Sequence, residues 1–229
     1  MRKSIIKSTK LKTLFIVLFV GVLHLEAQVS DVNLTNLYSR MTVTSFDSSS
    51  SGDIKGDSYI IDDFRPAKLA KDKKTFFVRY NAYKDEMEIQ RGKDAYYLSR
   101  FYDLPIIFVN TNEVYKMFDY DKGKKTGYFL LLKEGEKISL LLKQTIKYYE
   151  AHKAKTGYGK SEPKRLERED DVLYYSNKEN IAVKMPKKKK DIIGLFDSKE
   201  KDLESFIKQN NLNLKKKEDL IKLFSFYNS

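Results

Sequence analysis

The sequence predicts an α+β protein: an antiparallel, meander-like sheet or partly closed barrel over about residues 35–185, then two or three C-terminal helices. Three observations carry this. Phe76–Ile89 alternates with period two on either side of a polar turn, so each arm has one apolar and one polar face. Turn residues recur about every eight to twelve positions between Tyr- and Phe-rich runs, as in a meander; the 16 Tyr and 14 Phe, with no Trp, suit such strands. After Pro186 the apolar spacing changes to i, i+3, i+4, as in Leu203, Phe206 and Ile207, which is the helical period.

In chain order, Thr42–Phe46 is a strand candidate, and Asp47–Gly56, rich in Ser, Gly and Asp, is a loop. Ser58–Ile61 is a short strand candidate. Pro66 restricts any strand starting there to an edge or a first position, because it lacks an N–H. In the Phe76–Ile89 hairpin, Tyr80, Met87 and Ile89 are assigned to the core and Glu86 and Glu88 to the wet face. Asp94–Leu98 follows the Arg91-Gly92-Lys93 turn as a third strand. Pro105–Val109, Glu113–Phe118, Tyr128–Leu132 and Lys137–Leu142 continue the meander, with Ile146–Tyr149 prolonging the last of these. Residues 150–168, polar and broken by Gly and Pro, are expected to be a structureless excursion, a place to look for binding. Val172–Tyr175 and Ile181–Met185 form a last hairpin about Asn177–Asn180. Helices are expected over Lys187–Phe196, Ser198–Asn210 and Lys215–Tyr227, with an Asp197/Glu200 capping box before the second and Asn213 capping the third.

The first residues bound the destination. Arg2, Lys3, Lys7, Lys10 and Lys12 precede the apolar run Leu14–Leu23, and Ala27 precedes Gln28. This is the layout of a secretory signal peptide over residues 1–27; the run is too short for a spanning helix, which needs about 20 apolar residues. The expected organisation is residues 1–27 as signal, 28–185 as a β-rich domain and 186–229 as a helical region packed on it. Without cysteine there is no disulfide and no site for a bacterial lipid anchor, so a periplasmic or extracellular protein free of lipid is expected.

Of the formal net charge of +12, residues 28–150 hold 20 basic and 18 acidic side chains, whereas 151–229 hold 19 basic and 13 acidic. The excess lies in the last third. Export argues against nucleic acid as partner, and an envelope protein, anionic glycan or lipid headgroup fits that compartment better.

Catalytic candidates are few. His152 is the only histidine beyond the signal region and falls in a polar stretch, where a triad base would be hard to hold. Zinc needs several nitrogen or sulfur ligands. Asp119-Tyr-Asp121-Lys-Gly123 resembles half a calcium loop, but lacks the later acidic ligands and is crowded by Lys122, Lys124 and Lys125, so a tight turn is the preferred reading. Asp62-Asp63, Asp85-Glu86-Glu88 and Glu169-Asp170-Asp171 are the acidic clusters that glycoside chemistry would require. Lys187, Lys188, Lys189 and Lys190 precede one helical run, and Lys215–Lys217 another; such patches can meet anionic glycans or lipid headgroups. Cations at helix starts are unfavourable beside the positive helix end, and either the nearby Asp191 and Glu218 or an anionic ligand is expected to offset this; the plain alternative is a solubilising run.

Tyr59-Ile-Ile-Asp-Asp-Phe64, Arg79–Glu88 and Leu212–Phe224 resemble segments of small secreted proteins of Bacteroidota that carry no assigned function. The resemblance implies export and a β-rich body, and carries over no catalytic residue. The leading expectation is therefore an exported, non-enzymatic cell-envelope protein that binds a partner or helps organise the surface. The alternatives are a carboxylate-based glycan hydrolase, or a module binding anionic glycan or lipid headgroups through Lys187–Lys190. No catalytic, metal or cofactor site is assigned.

Overall fold

The computed structural model describes residues 42–43, 54–70, 74–152, 161–178, 180–196 and 200–229. The signal-peptide region, most of the Asp47–Gly56 loop and Asp197 of the expected capping box lie outside them. The protein is α+β, as expected. Its strands are β1 Thr42–Val43, β2 Arg65–Leu69, β3 Phe76–Asn81, β4 Glu86–Arg91, β5 Asp94–Tyr97, β6 Ile106–Phe108, β7 Val114–Tyr120, β8 Lys125–Lys133, β9 Ser139–Lys143, β10 Ile146–Tyr149, β11 Arg165–Arg168, β12 Val172–Lys178 and β13 Ile181–Lys184. Three helices follow: α1 Lys189–Ile193, α2 Glu200–Gln209 and α3 Lys217–Asn228.

Five strands close on themselves. β7, β8, β9, β12 and β13 pair in that order, and β13 returns to β7 through a parallel contact of Ile181 with Asp119. The Asp119 N–H donates to the Asn180 carbonyl at 2.7 Å. The same edge of β7 carries β6 at its start, opposite Val114 and Tyr115. From there a second wing runs β6-β2-β3-β4-β5-β1, antiparallel throughout.

Strand alternation divides the core into three clusters. Phe118, Phe129, Leu141 and Ala182 fill the ring with Tyr120, Leu131 and Tyr174 against them. Their rings meet edge to face: Phe118 and Phe129 have centroids 5.7 Å apart, Phe129 and Tyr174 5.1 Å, a geometry favoured by the ring quadrupoles. The opposite parity of the ring strands faces outward. Tyr115, Met117, Tyr128, Leu130 and Leu142 pack under the wing with Val78, Tyr80, Met87, Ile89 and Phe108. Ile138 and Leu140 instead receive the helices through Ile192, Phe196, Leu203, Ile207, Leu220, Leu223 and Phe224. The ring is thus sandwiched between wing and helices, and the expected core residues Tyr80, Met87 and Ile89 are buried.

Several local expectations change. Ser58–Ile61 is a strap across the outer face of the hairpin, with only a bridge from Tyr59 to Asn81; the Ser58 carbonyl accepts the Ala82 and Tyr83 N–H groups. Pro66 occupies the second position of β2, a strand with neighbours on both sides. Its carbonyl accepts the Val109 N–H at the end of β6, where the ladder needs no donor from residue 66. β10 does not prolong β9. It leaves the main sheet and pairs with β11, which lies inside the stretch expected to be structureless. β11 is docked at its other edge by the Leu166 N–H to Lys55 carbonyl bond, 2.7 Å, and the reciprocal Lys55 N–H to Lys164 carbonyl bond.

That docking requires Gly56. Its φ of +91° is strained for any side chain, and a Cβ there would lie 2.1 Å from the Leu166 carbonyl oxygen. Gly56→Ala is expected to destabilise the protein by about 1–3 kcal/mol. Hydrogen exchange should locate the loss at the Lys55 and Leu166 amides, with the ring amides unchanged.

Candidate anion-binding cleft

The two lysine runs, separate in sequence, converge on one cleft. It has a volume of about 560 Å³ and is lined by Lys187 and Lys189 from the segment after Pro186 and by Asn211, Leu212, Asn213, Leu214, Lys215, Lys216 and Asp219 from the α2–α3 turn and the start of α3. The part contributed by the α2–α3 turn is built by a helix-ending motif. α2 stops where Asn211 takes a left-handed conformation (φ +48°), and the Leu212 N–H reaches back to the Ile207 carbonyl. Leu212 is thereby buried among the helices, the usual apolar contact of such an ending. Asn213 then turns the chain: its Oδ1 accepts the Lys215 N–H at 3.0 Å and its carbonyl the Lys216 N–H at 2.8 Å. The Asp219 carboxylate accepts the Asn213 N–H from within α3 and pairs with Lys222, and these donors hold its carboxyl below the usual range. Lys215 and Lys216 therefore stand on fixed backbone. Asn213 caps this turn and not the helix; α3 begins one residue after Lys216, with no side-chain cap.

All four predicted lysines, Lys187–Lys190, are exposed, and of these Lys187 and Lys189 line the cleft. Among the described residues no carboxylate lies within ion-pair distance of Lys187, Lys189, Lys215 or Lys216, whereas Lys147 and Lys222 each have one. Four ammonium groups against the single Asp219 carboxylate, which Lys216 and Lys222 both help to hold ionised, leave a net positive potential in the concavity. Sequence spacing shows each run; only the α2–α3 turn, with Asn211, Asn213 and Asp219, shows that they meet.

The other candidates are dispersed. Glu88 is a correction to the wet-face assignment: it is 1% exposed under the strap, accepting from Arg79 Nε at 2.8 Å, Asn81 Nδ2 at 3.0 Å and the Tyr59 hydroxyl. Glu86 is half-buried and paired with Arg100 at 2.9 Å; burial raises its carboxyl above the ordinary value despite that pairing. Asp62 pairs with Arg79, Glu169 with Lys147, and Asp171 with Arg168. The Asp119 carboxylate accepts from Thr126 at 2.6 Å and Tyr102 at 2.7 Å, which lowers its pKa, and Asp121 faces Lys125. His152 is exposed, bridged through its backbone to Glu162. Among the described residues no three His, Cys, Asp or Glu side chains cluster as metal ligands.

One buried charged group has no counterpart among the sequence candidates. Lys143, 7% exposed, follows the ring-facing parity of Leu141 and ends over the Phe129 ring, 5.0 Å from its centroid. Its ammonium donates to Asp85 Oδ1 at 2.7 Å and to the Tyr128 carbonyl at 2.9 Å. Asp85 Oδ1 also accepts from the Tyr80 hydroxyl and the Tyr128 N–H. Burial pulls the Lys143 ammonium below its ordinary pKa, partly offset by Asp85. The available signal was a lysine at a core parity after three leucines.

No protein-family model matches the chain, and neither a curated protein nor a solved structure does. Among the described residues no helix is long and apolar enough to cross a membrane.

Proposed function

We propose that the protein is exported to the cell envelope or beyond and works there by binding, not catalysis, with an anionic partner held in the lysine cleft. The observation that carries the binding reading is the convergence of Lys187 and Lys189 with Lys215 and Lys216 on one concave site, where among the described residues none of the four has a carboxylate within ion-pair distance and Asp219 is the one carboxylate in the lining. Export rests on the basic start, the Leu14–Leu23 run and Ala27. Binding without catalysis is supported by the acidic clusters, whose members are largely engaged by cations of neighbouring strands, and by the exposed position of His152.

The test compares charge-matched variants on an anionic support. K187Q/K189Q removes two cleft lysines and K188Q/K190Q two that do not line it, so both lower the net charge equally. The first pair is expected to elute at clearly lower salt than the second. Both should melt with the unchanged protein, since exposed substitutions of this kind stay within about 0.5 kcal/mol. Equal shifts for the two pairs would mean diffuse charge attraction and defeat the cleft assignment.

A further inference from the structure

We infer that the ligand of this cleft is an acidic oligosaccharide: an extended sugar chain carrying carboxylate or sulfate on more than one unit. This rests on the proposal that the cleft binds an anion and narrows the class.

The donor set decides among anions. All four cationic groups are lysines. Lysine presents a compact point charge, without the planar fork by which arginine grips one phosphate or carboxylate in two places. Lys187 and Lys189 come from the segment after Pro186, Lys215 and Lys216 from the α2–α3 turn. Four separate point charges carried on two chain segments suit a ligand whose own charges are spaced along a chain.

The lining is not uniformly cationic. Asn211 and Asn213 bring amides, which both donate and accept, and Asp219 brings a carboxylate onto the same surface. A ligand that is anionic at every position, such as polyphosphate, offers nothing for Asp219 to accept and is repelled by it. Sugar hydroxyls offer donors and acceptors between the charged groups, matching amides and a carboxylate set among ammonium groups. The half-buried Leu214 adds a small apolar surface for the C–H face of a sugar ring.

Shape argues against a bilayer. Peripheral membrane sites present basic residues together with exposed apolar anchors that enter the acyl boundary. Here the site is concave, Leu212 is buried and Leu214 half-buried. The exposed Ile181 and Val183 stand on β13 and do not line the cleft.

The experiment uses the full chain from residue 28 in calorimetric titration at physiological salt. Its probes are oligogalacturonate and a heparin-derived tetrasaccharide, with neutral dextran oligosaccharide, inorganic polyphosphate, poly-glutamate and phosphatidylglycerol vesicles alongside. At least one acidic oligosaccharide is expected to bind and the dextran not. K187Q/K189Q and K215Q/K216Q should each weaken binding about tenfold or more, about 1.4 kcal/mol. N211G, which keeps every charge and the left-handed backbone at this position, should weaken the oligosaccharide and leave polyphosphate unaffected. Binding of polyphosphate, poly-glutamate or vesicles in preference to both oligosaccharides overturns the sugar class while keeping an anion cleft, provided the cleft lysine pairs weaken that binding. Binding of an oligosaccharide that neither lysine pair affects removes it from the cleft. No binding by any anionic probe removes both the sugar class and the anion cleft.

Discussion

Lys143→Met is expected to destabilise the protein by about 2–4 kcal/mol. Removing one partner of a fully buried ion pair typically costs about 3–5 kcal/mol, because the other is left charged and unpaired; Asp85 keeps some exposure and retains the Tyr80 hydroxyl and Tyr128 N–H, which softens the loss. Replacing both partners should remove most of the effect. K143M/D85N is expected within about 1 kcal/mol of the unchanged protein, since a buried pair is often no better than a packed apolar substitute. The pair also couples two layers, as Asp85 sits in the turn of the wing hairpin and Lys143 at the end of a ring strand. Gly127 makes room for it: a Cβ there would fall 2.0 Å from Asp85 Oδ2 and 2.8 Å from Lys143 Nζ.

The pH dependence has a defined sign. Burial lowers the folded pKa of Lys143 below its ordinary value. Between that lowered value and the ordinary one the unfolded chain binds the extra proton, so stability rises with pH across this window. K143M lacks this slope. Chemical denaturation from neutral to alkaline pH should therefore show the unchanged protein gaining on K143M as pH rises through the window; a parallel pair of curves would refute the buried-ammonium assignment.

Much of the fold is legible because strand and turn signals are local. The Phe76–Ile89 alternation gives β3 and β4 with Tyr80, Met87 and Ile89 inside, and the helical spacing after Pro186 gives α1, α2 and α3. Ring closure is not legible. It depends on Ile181 meeting Asp119 in one parallel contact between segments distant in sequence, and nothing in either segment marks the other as partner. β11 is hidden for a related reason. Arg165-Leu-Glu-Arg168 has a single apolar residue, and its pairing comes from backbone groups shared with β10 and Lys55, which carry no side-chain pattern. The cleft is legible in halves. Each lysine run stands out against its surroundings, whereas their meeting depends on the α2–α3 turn, set by Asn211 in the left-handed region and by the Asn213 turn, local features that carry no mark of the distant Lys187–Lys190 run.

Glu88 shows where alternation misleads, and its replacement should have the largest effect in the molecule. Parity places it on the outer face of β4, which in a bare hairpin is wet. The strap and the residues after it, to Phe64, cover that face, with the Arg79 guanidinium 3.8 Å from the Tyr59 ring centroid and 4.3 Å from that of Phe64. The Tyr59 hydroxyl is pushed above its ordinary pKa, first by burial and then by the Glu88 charge, so it stays a donor at neutral pH. Glu88→Ala strips a carboxylate from Arg79, Asn81 and Tyr59 together and leaves a cavity. An expected loss of about 3–5 kcal/mol follows, with tyrosine fluorescence and exchange at Ala82 and Tyr83 reporting release of the strap. Glu88→Gln keeps the volume and one acceptor but forfeits the charge-assisted bond, for about 1.5–3 kcal/mol. These variants separate a structural carboxylate from a catalytic one. If Glu88 anchors the strap, the glutamine variant melts early, and binding at the lysine cleft survives below its melting point. A glutamine variant with unchanged melting that loses a hydrolytic activity of the unchanged protein would place Glu88 in an active site and reverse the assignment. Arg79 argues for the anchor: it is held by Glu88, by Asp62 and against the Tyr59 and Phe64 rings at once, so the carboxylate it grips is fixed in place by an ion pair.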